Sequence, residues 1–451
     1  MNIIVIGMGE VGKHIAGFLA SEDHDVTIVD ANPQALSGAE EKMDVMALEG
    51  QGGSLKTLKR AEAHKADLVI AVTDDDEANL LAAFGAKSLG AKRTIARVSS
   101  RDYLDGESGL YHDLMGVDLV ICPPILSGTE ISKLVRSFGA VFVENFAQNR
   151  VELIQLALNE QLKVVGQKLK DISMPNNTLI AAINRDGKMI IPSGDDEILL
   201  NDEVLVIGRI ESIPDVENFF GKKHRGKANK VIILGGGEIG FSVVKSLMGE
   251  DLEITLIDKD SDRCKFLSET LSNVLVINGD GTDMSVLEEV KIQDCDVFIS
   301  AVSEGEEINL LSGLLAKQMG AQKSVVLADK PDYKVLYEQL GIDAVVSPRL
   351  VAANQIMKYV RAGTVVSVTI LEEGNGEILE IVAPPTARIV KKPLMELSFP
   401  KGAVIGAVAG PDGVMIPKGS DTIPANSTVI IFTTPQARRQ VERLFKAKKA
   451  R

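Results

Sequence analysis

Residues 3–12 read Ile-Ile-Val-Ile-Gly-Met-Gly-Glu-Val-Gly, and residues 231–240 read Val-Ile-Ile-Leu-Gly-Gly-Gly-Glu-Ile-Gly. Each is a β-branched apolar run that ends in G-x-G-x-x-G and leads into an amphipathic segment. A second strand follows in both places, Asp-Val-Thr-Ile-Val-Asp30 and Glu-Ile-Thr-Leu-Ile-Asp258, with the acid 23 residues after the first glycine each time. Strand, glycine turn, helix and acid-terminated strand form the dinucleotide-binding fingerprint. Gly7 and Gly235 allow the tight turn. Gly9 and Gly237 let the backbone approach a pyrophosphate, and Gly12 and Gly240 let the helix pack on the sheet. The bare N–H groups contributed by Met8, Glu10, Val11 and by Gly236, Glu238, Ile239 then face the phosphates, aided by the helix dipole. Asp30 and Asp258 are placed to accept from ribose hydroxyls and to repel a 2′-phosphate, which favours NAD(H) or an adenine nucleotide over NADP(H); Lys259 softens that preference in the second copy. A glycine turn in an empty α/β domain is the plain alternative.

Outward from the first fingerprint, strands are predicted at 2–6, 25–30, 44–49, 67–72, 93–98 and 118–122. Helices are predicted between them at 10–21, 33–41, 53–62, 77–89 and 108–115. The strands are continuous apolar runs, as in a parallel sheet buried on both faces, and their alternation with helices implies right-handed βαβ units. A helix near 126–138 closes this domain. The texture then changes to short strands at 140–146, 151–158, 178–184, 188–192 and 203–208, with a short helical piece at 166–172. This makes a small α+β unit.

The second half repeats the first. Gly50 and Gly52 answer Gly279 and Gly281, Asn79-Leu-Leu answers Asn309-Leu-Leu, and Ile191-Pro192 answers Ile416-Pro417. The fold class is therefore α/β: tandem duplicated Rossmann-like parallel-sheet domains, each followed by a small α+β domain. The expected boundaries are 1–138 and 230–362 for the nucleotide-binding domains and 139–220 and 363–446 for the small ones. A basic linker at 221–229 and a basic tail at 447–451 complete the chain.

Bulk properties narrow the function. The 451 residues are 45% hydrophobic and 25% charged, the balance of a globular protein. No apolar stretch approaches the roughly 18–20 residues of a spanning helix, and the chain opens directly on a core strand, so a cytosolic protein without a leader is expected. The net charge of −14 argues against nucleic acid as a partner. Cys122, Cys264 and Cys295 form no C-x-x-C pair and read as buried residues. The five histidines show no metal-ligand spacing, so no metal site is expected.

Further candidates lie at the carboxyl edge of each sheet. Val72-Thr73-Asp74-Asp75-Asp76-Glu77 and Val302-Ser303-Glu304-Gly305-Glu306-Glu307 each follow the fourth strand. Thr73 and Ser303 are suited to cap the next helix and equally to border a ligand. Arg97 ends the fifth strand, where a guanidinium suits a phosphate or a surface salt bridge; Leu327 stands at the equivalent place. Asp280 can reach the adenine or ribose end, whereas its counterpart Gln51 offers no anion. The two crevices are thus expected to be unequal.

This ordering, with both fingerprints, Gly279-Asp280-Gly281-Thr282 and Ile95-Ala96-Arg97-Val98, resembles the RCK (KTN) regulators of potassium transport over essentially the whole chain. The double-repeat length is similar to that of the cytosolic subunit of Trk potassium-uptake systems. The resemblance implies RCK-N domains that bind NAD(H) or ATP/ADP, an RCK-C domain after each of them, and no catalysis. It also implies a homotetrameric ring on the cytoplasmic face of the membrane, held there by a Trk-type channel or transporter subunit. A hinge near 126–138 would carry crevice closure into ring motion. Family roles carry over to Gly7–Val11, Asp30, Thr73, Asp74 and Arg97, and to Gly235–Ile239, Asp258, Asp280 and Ser303. Gln51 and Leu327 depart from the family pattern. Two other functions stay open: an NAD-dependent oxidoreductase, for which the small domains supply no histidine as acid or base, and an RCK regulator of another cation transporter.

Overall fold

The structure is a computed structural model that describes all residues other than 23, 105–113, 159–163, 221–227, 304, 329, 331–332, 361–364, 372–375, 412 and 447–451. The first nucleotide-type domain runs β1 (Asn2–Ile6), α1 (Glu10–Ser21), β2 (Asp25–Asp30), α2 (Pro33–Leu36), α3 (Ala39–Met43), β3 (Met46–Glu49), α4 (Leu55–Arg60), β4 (Leu68–Ala71), α5 (Asp76–Leu89), β5 (Thr94–Arg97), β6 (Leu119–Ile121) and α6 (Pro123–Arg136). Its strands form one parallel sheet in the order β3-β2-β1-β4-β5-β6. The order reverses between β1 and β4, and that switch point is where such sheets open a ligand crevice.

The small domain that follows comprises β7 (Phe142–Phe146), β8 (Val151–Ala157), β9 (Thr178–Arg185), β10 (Lys188–Ile190), β11 (Glu203–Arg209) and α7 (Ile213–Phe219). Its sheet is antiparallel, in the order β10-β9-β11-β8-β7.

The second half repeats both sheets. Its nucleotide-type domain has β12 (Lys230–Leu234), α8 (Glu238–Leu247), β13 (Glu253–Asp258), α9 (Ser261–Thr270), β14 (Val274–Asn278), α10 (Met284–Glu289), β15 (Val297–Ser300), α11 (Glu306–Gln318), β16 (Lys323–Leu327), α12 (Tyr333–Gln339), β17 (Ala344–Val346) and α13 (Pro348–Val360). The small domain has β18 (Val365–Leu371), β19 (Gly376–Val382), β20 (Ala403–Gly410), β21 (Gly413–Met415), β22 (Thr428–Thr433) and α14 (Pro435–Phe445). Strand orders match the first half position for position.

Most sequence expectations hold to within a residue or two at the ends, the usual scatter of element boundaries. Four differ for physical reasons. The helix expected over 33–41 is two pieces, broken at Gly38, whose φ is +71°. β3 starts at Met46, after Asp44 takes a left-handed φ of +52°. The helical piece expected at 166–172 is only a 3-10 turn at Leu169–Asp171, because its neighbours spend their backbone elsewhere. The N–H groups of Gly166, Leu169 and Lys170 donate to the carbonyls of Ile198, Asp196 and Gly194. The helix expected at 126–138 begins earlier, on Pro123-Pro124, where a first turn tolerates proline. Most of the helix expected at 108–115 and most of the linker lie outside the described residues.

The halves alternate in sequence, yet like packs with like. The chain forms two compact units, one of Met1–Ser132 with Asn229–Val360 and the other of Lys133–Ala228 with Arg361–Arg451. Inside the first unit the closing helices are exchanged. Ala352, Ala353, Ile356, Met357 and Val360 of α13 are buried in the core built by Ile3, Val5, Ile15, Leu19 and Ile28 of the first copy. Reciprocally, α6 lies on α8 of the second copy: a Cβ on Gly128 would come within 2.6 Å of Ser242 Cβ and 2.8 Å of the Ser242 carbonyl carbon. Small residues at matching places, Ser127-Gly128 and Ala352-Ala353, permit these close approaches. In the second unit, Leu153, Leu205 and Ile207 of one antiparallel sheet share a core with Ile378, Ile430 and Phe432 of the other.

Gly128→Ala decides whether the helix exchange is tight. Helix propensity alone would stabilise the variant by about 1 kcal/mol, whereas the clash with the Ser242 backbone costs about 1–3 kcal/mol. A lowered denaturation midpoint is expected, while Gly9→Ala, whose Cβ meets nothing within 4 Å, stays within about 0.5 kcal/mol of wild type.

Candidate functional site

Each crevice is assembled from a strand end, a glycine turn and an acid. Gly7 sits at φ +99°, and a Cβ there would lie 2.8 Å from the amide nitrogen of Thr73, so only glycine fits. Gly12 is equally constrained: its Cβ would fall 1.8 Å from the carbonyl oxygen of Gly7. Gly9 is extended and open, and it presents the amino end of α1 without a side-chain cap. Glu10 opens that helix beside Lys13, with 3.6 Å between the charged groups. Val11 packs against the core, and Met8 is buried in it.

Asp30 has a role that its ribose assignment does not include. Its carboxylate accepts from the Met8 N–H at 2.6 Å and from the Asn32 N–H at 2.7 Å. Asp258 does the same with the N–H groups of Gly236 at 2.6 Å and Asp260 at 2.8 Å. The acid at the end of the second strand therefore clamps the glycine turn.

In the second copy, Gly235 repeats φ +99°, and a Cβ on Gly240 would lie 1.9 Å from the Gly235 carbonyl oxygen. Gly237 again presents a helix start. A basic side chain from the following helix also meets this turn. Arg263 of α9 donates from Nε to the Gly236 carbonyl at 2.7 Å and pairs through a terminal nitrogen with Glu238 at 3.3 Å. The corresponding residue in the first copy is Ala35, so only the second turn carries this brace. Asp280 accepts from the N–H of Thr282 at 2.9 Å and from its hydroxyl at 2.7 Å. Those bonds hold its carboxyl below the usual carboxylate range.

The turns after the fourth strands correct two expectations. Thr73 does not cap α5; Asp75 does, its carboxylate accepting from the Ala78 N–H at 2.7 Å. Ser303 does not cap α11 either, because Gly305 occupies that position with φ +107°. Ladder registers pair Ile6 with Ala71 and Leu234 with Ser300. Thr73 therefore corresponds to Val302 and Asp74 to Ser303, with one extra residue in the second turn.

Both turns are held by a buried asparagine whose shared Asn-Leu-Leu context was read only as a mark of the repeat. Asn79 accepts from the Thr73 N–H at 2.8 Å and from its hydroxyl at 2.7 Å, and donates to the Thr73 and Arg97 carbonyls, each at 2.9 Å. Asn309 accepts from the Ser300 hydroxyl and the Val302 N–H and donates to the Val302 carbonyl.

Arg97 stands at the end of β5 as expected. One terminal nitrogen donates to the Thr73 carbonyl and to the exposed carboxylate of Asp74, both at 3.1 Å, while its buried Nε has no partner. A cavity of about 140 Å³ opens beside it. Arg97, Ser99 and Pro123 of the first copy line one side; Ile239, Ser303 and Leu327 of the second line the other. The structure thus brings Arg97 to the second fingerprint as well as to its own strand edge, and the guanidinium absent at Leu327 is offered from the other copy. Free Cys122, Cys264 and Cys295 are buried, as read.

Paired Rossmann-like crevices in one compact unit, joined by exchanged helices, define a tandem Rossmann-like protein. The TrkA-N domain matches residues 3–123 and 231–348, and the TrkA-C domain matches residues 153–221 and 378–446. The chain belongs to the TrkA family of Trk potassium-uptake proteins. A Trk system potassium uptake protein TrkA homolog of Methanosarcina mazei is 38% identical, covering 99% of this chain and all of that one. The GsuK RCK domain superposes with a TM-score of 0.62 at 18% identity, covering 98% of this chain and 94% of that one. The GsuK channel bound to NAD gives 0.62 at 17% identity, covering 98% and 78%. Both structures share the fold.

Two measurements test the geometry. Asn79→Ala strips the partner from the Thr73 N–H and is expected to cost about 1–3 kcal/mol in chemical denaturation. For Asp280, a depressed carboxyl contributes stability that is present above its unfolded value and lost as pH falls through the folded one. The Thr282 amide resonance should therefore hold steady from neutral pH through the ordinary carboxylate range and shift only below it, and Asp280→Asn should abolish that acid limb.

Proposed function

We propose that the protein is a non-enzymatic, nucleotide-sensing regulatory subunit of a Trk-type potassium-uptake system. NAD(H) or ATP/ADP occupies its two crevices and biases an assembly that gates a membrane-embedded channel or transporter subunit. The observation that carries this reading is the pair of fingerprints in one compact unit, each with its acid-clamped glycine turn and bare helix start. Full-length relatives named as potassium-uptake proteins support the transport assignment. No helix among the described residues is long and apolar enough to cross a membrane, in keeping with attachment to the cytoplasmic face through a partner.

Residues Gly7–Gly12, Asp30, Thr73, Asp74 and Arg97 serve the first crevice in this proposal. Gly235–Gly240, Asp258, Asp280 and Ser303 serve the second. The bare N–H groups at the amino ends of α1 and α8 would hold the phosphates. Asp30 and Asp258 would exchange part of their grip on the turn for ribose hydroxyls. A ligand of this kind acts only through unequal affinity for two shapes of the assembly.

Self-assembly, as a homotetramer in this reading, is supported by apolar side chains left exposed at matching places. Met46, Leu55 and Leu81 in the first copy correspond to Leu275, Met284 and Leu311 in the second, and all six are exposed. Repetition of an exposed apolar face on both copies suits a ring in which the same face is used again and again.

Asp30→Ala and Gly9→Glu are the tests. Gly9 has open space around it and a φ of −66° that any residue accepts, so glutamate there brings a carboxylate to the phosphate position without a backbone clash. Both variants should stay folded yet lose the nucleotide dependence of potassium flux in vesicles reconstituted with the membrane subunit. Flux that responds to nucleotide in the variants as it does in wild type would sink the proposal.

A further inference from the structure

The second crevice is wired to the first copy by a stack of cations and rings built on Phe241 and Phe266. Arg263 grips the second glycine turn through the Gly236 carbonyl and Glu238. Its guanidinium carbon also lies 5.0 Å from the ring centre of Phe266 and 5.9 Å from that of Phe241. Phe241 belongs to α8, one turn beyond Glu238, and is 8% exposed. Arg101, from the first copy, lies 5.2 Å from the Phe241 ring centre and reaches the Ser242 hydroxyl at 3.4 Å. The Arg101 Nε is buried without a partner.

The loop that carries Arg101 is itself fixed to the first crevice. It leaves β5 only four residues after Arg97, and the Asp76 carboxylate accepts from the N–H groups of Ser99 and Ser100 at 2.8–3.0 Å. A continuous path therefore runs from the second glycine turn through Arg263, Phe241 and Arg101 to the strand edge that bears Arg97. At the matching place in the first copy, Ala35 supplies no such arm.

We propose that the Arg263–Phe241–Arg101 stack couples the two nucleotide crevices, so that filling one changes the affinity of the other, with Arg263 as its positioning residue. This rests on the nucleotide reading above. Phosphates arriving at the bare N–H groups of α8 meet the Glu238 carboxylate, which Arg263 must keep neutralised, and they reshape the turn whose carbonyl Arg263 holds. The guanidinium then shifts against Phe241, a ring that Arg101 and Lys245 also approach, at 5.2 and 5.4 Å from its centre. Cation–π contacts depend on where the cation sits over the ring, and Phe241 is buried, so the displacement reaches Arg101 and the Ser99-Ser100 loop. Coupling is reciprocal by linkage, although the device is built on one side only.

The test uses the full chain and ADP titrations followed by calorimetry. Gly237→Glu blocks the second crevice; its Cβ meets nothing nearer than the Ser303 hydroxyl at 3.5 Å. That variant reports the first crevice alone, and Gly9→Glu reports the second alone. The product of these two binding constants is compared with the overall two-site constant of wild type. Their ratio is expected to differ from unity by at least about fivefold. In Phe241→Leu, and in Arg263→Lys, the ratio should collapse to within about twofold of unity, with the thermal midpoint little changed. A wild-type ratio of one, or a ratio that persists in both variants, overturns the coupling while leaving two nucleotide sites intact. Wild-type protein that binds no ADP at either crevice overturns the nucleotide reading and the coupling together.

Discussion

The exchange of closing helices is the constraint on which the first unit depends. With Ile356, Met357 and Val360 of α13 buried among Ile3, Ile15 and Leu19, the first nucleotide-type domain does not complete its core by itself. Each fully buried aliphatic side chain contributes about 1.5–3 kcal/mol, which is large beside the net stability of a domain, about 5–15 kcal/mol. The duplication is therefore a structural unit as well as a sequence repeat. Any shift of one glycine turn against its sheet strains a helix that belongs to the other half.

Within that frame the two crevices share their backbone and differ in charge. The acid–turn clamp is the same to 0.1 Å in its short bonds, and the buried asparagine recurs. The differences lie around the phosphate end. The first copy owns Arg97, the second has Leu327 but gains Arg263, and the cavity between them is lined by Arg97 and by the second fingerprint together.

The sequence was most legible where local chemistry decides geometry. Glycine spacing located both turns to the residue, continuous Val/Ile runs located the parallel strands, and a fixed acid located Asp30 and Asp258. What escaped depends on contacts between distant elements. The buried face of α13 is plain from Ala352-Ala353 and Ile356-Met357, but nothing in it says that the core it fills belongs to the first copy. Arg263 reads as a solvated helix residue until Gly236 and Glu238 are placed beside it. Thr73 and Ser303 looked interchangeable because both precede acids; a one-residue insertion, visible only in the strand register, puts Ser303 opposite Asp74. Asn79 and Asn309 were findable, since a polar residue repeated within an otherwise apolar Asn-Leu-Leu helix face asks for buried partners.

Both fingerprints are proposed to be working, unequal nucleotide sites. Equilibrium dialysis of the full chain against labelled NADH and ATP tests this most directly. Saturation at two ligands per chain with distinct affinities is expected, reduced to one by Gly9→Glu and to none when Gly237→Glu is added. Binding of a single ligand per chain, or binding that ignores both substitutions, would contradict it.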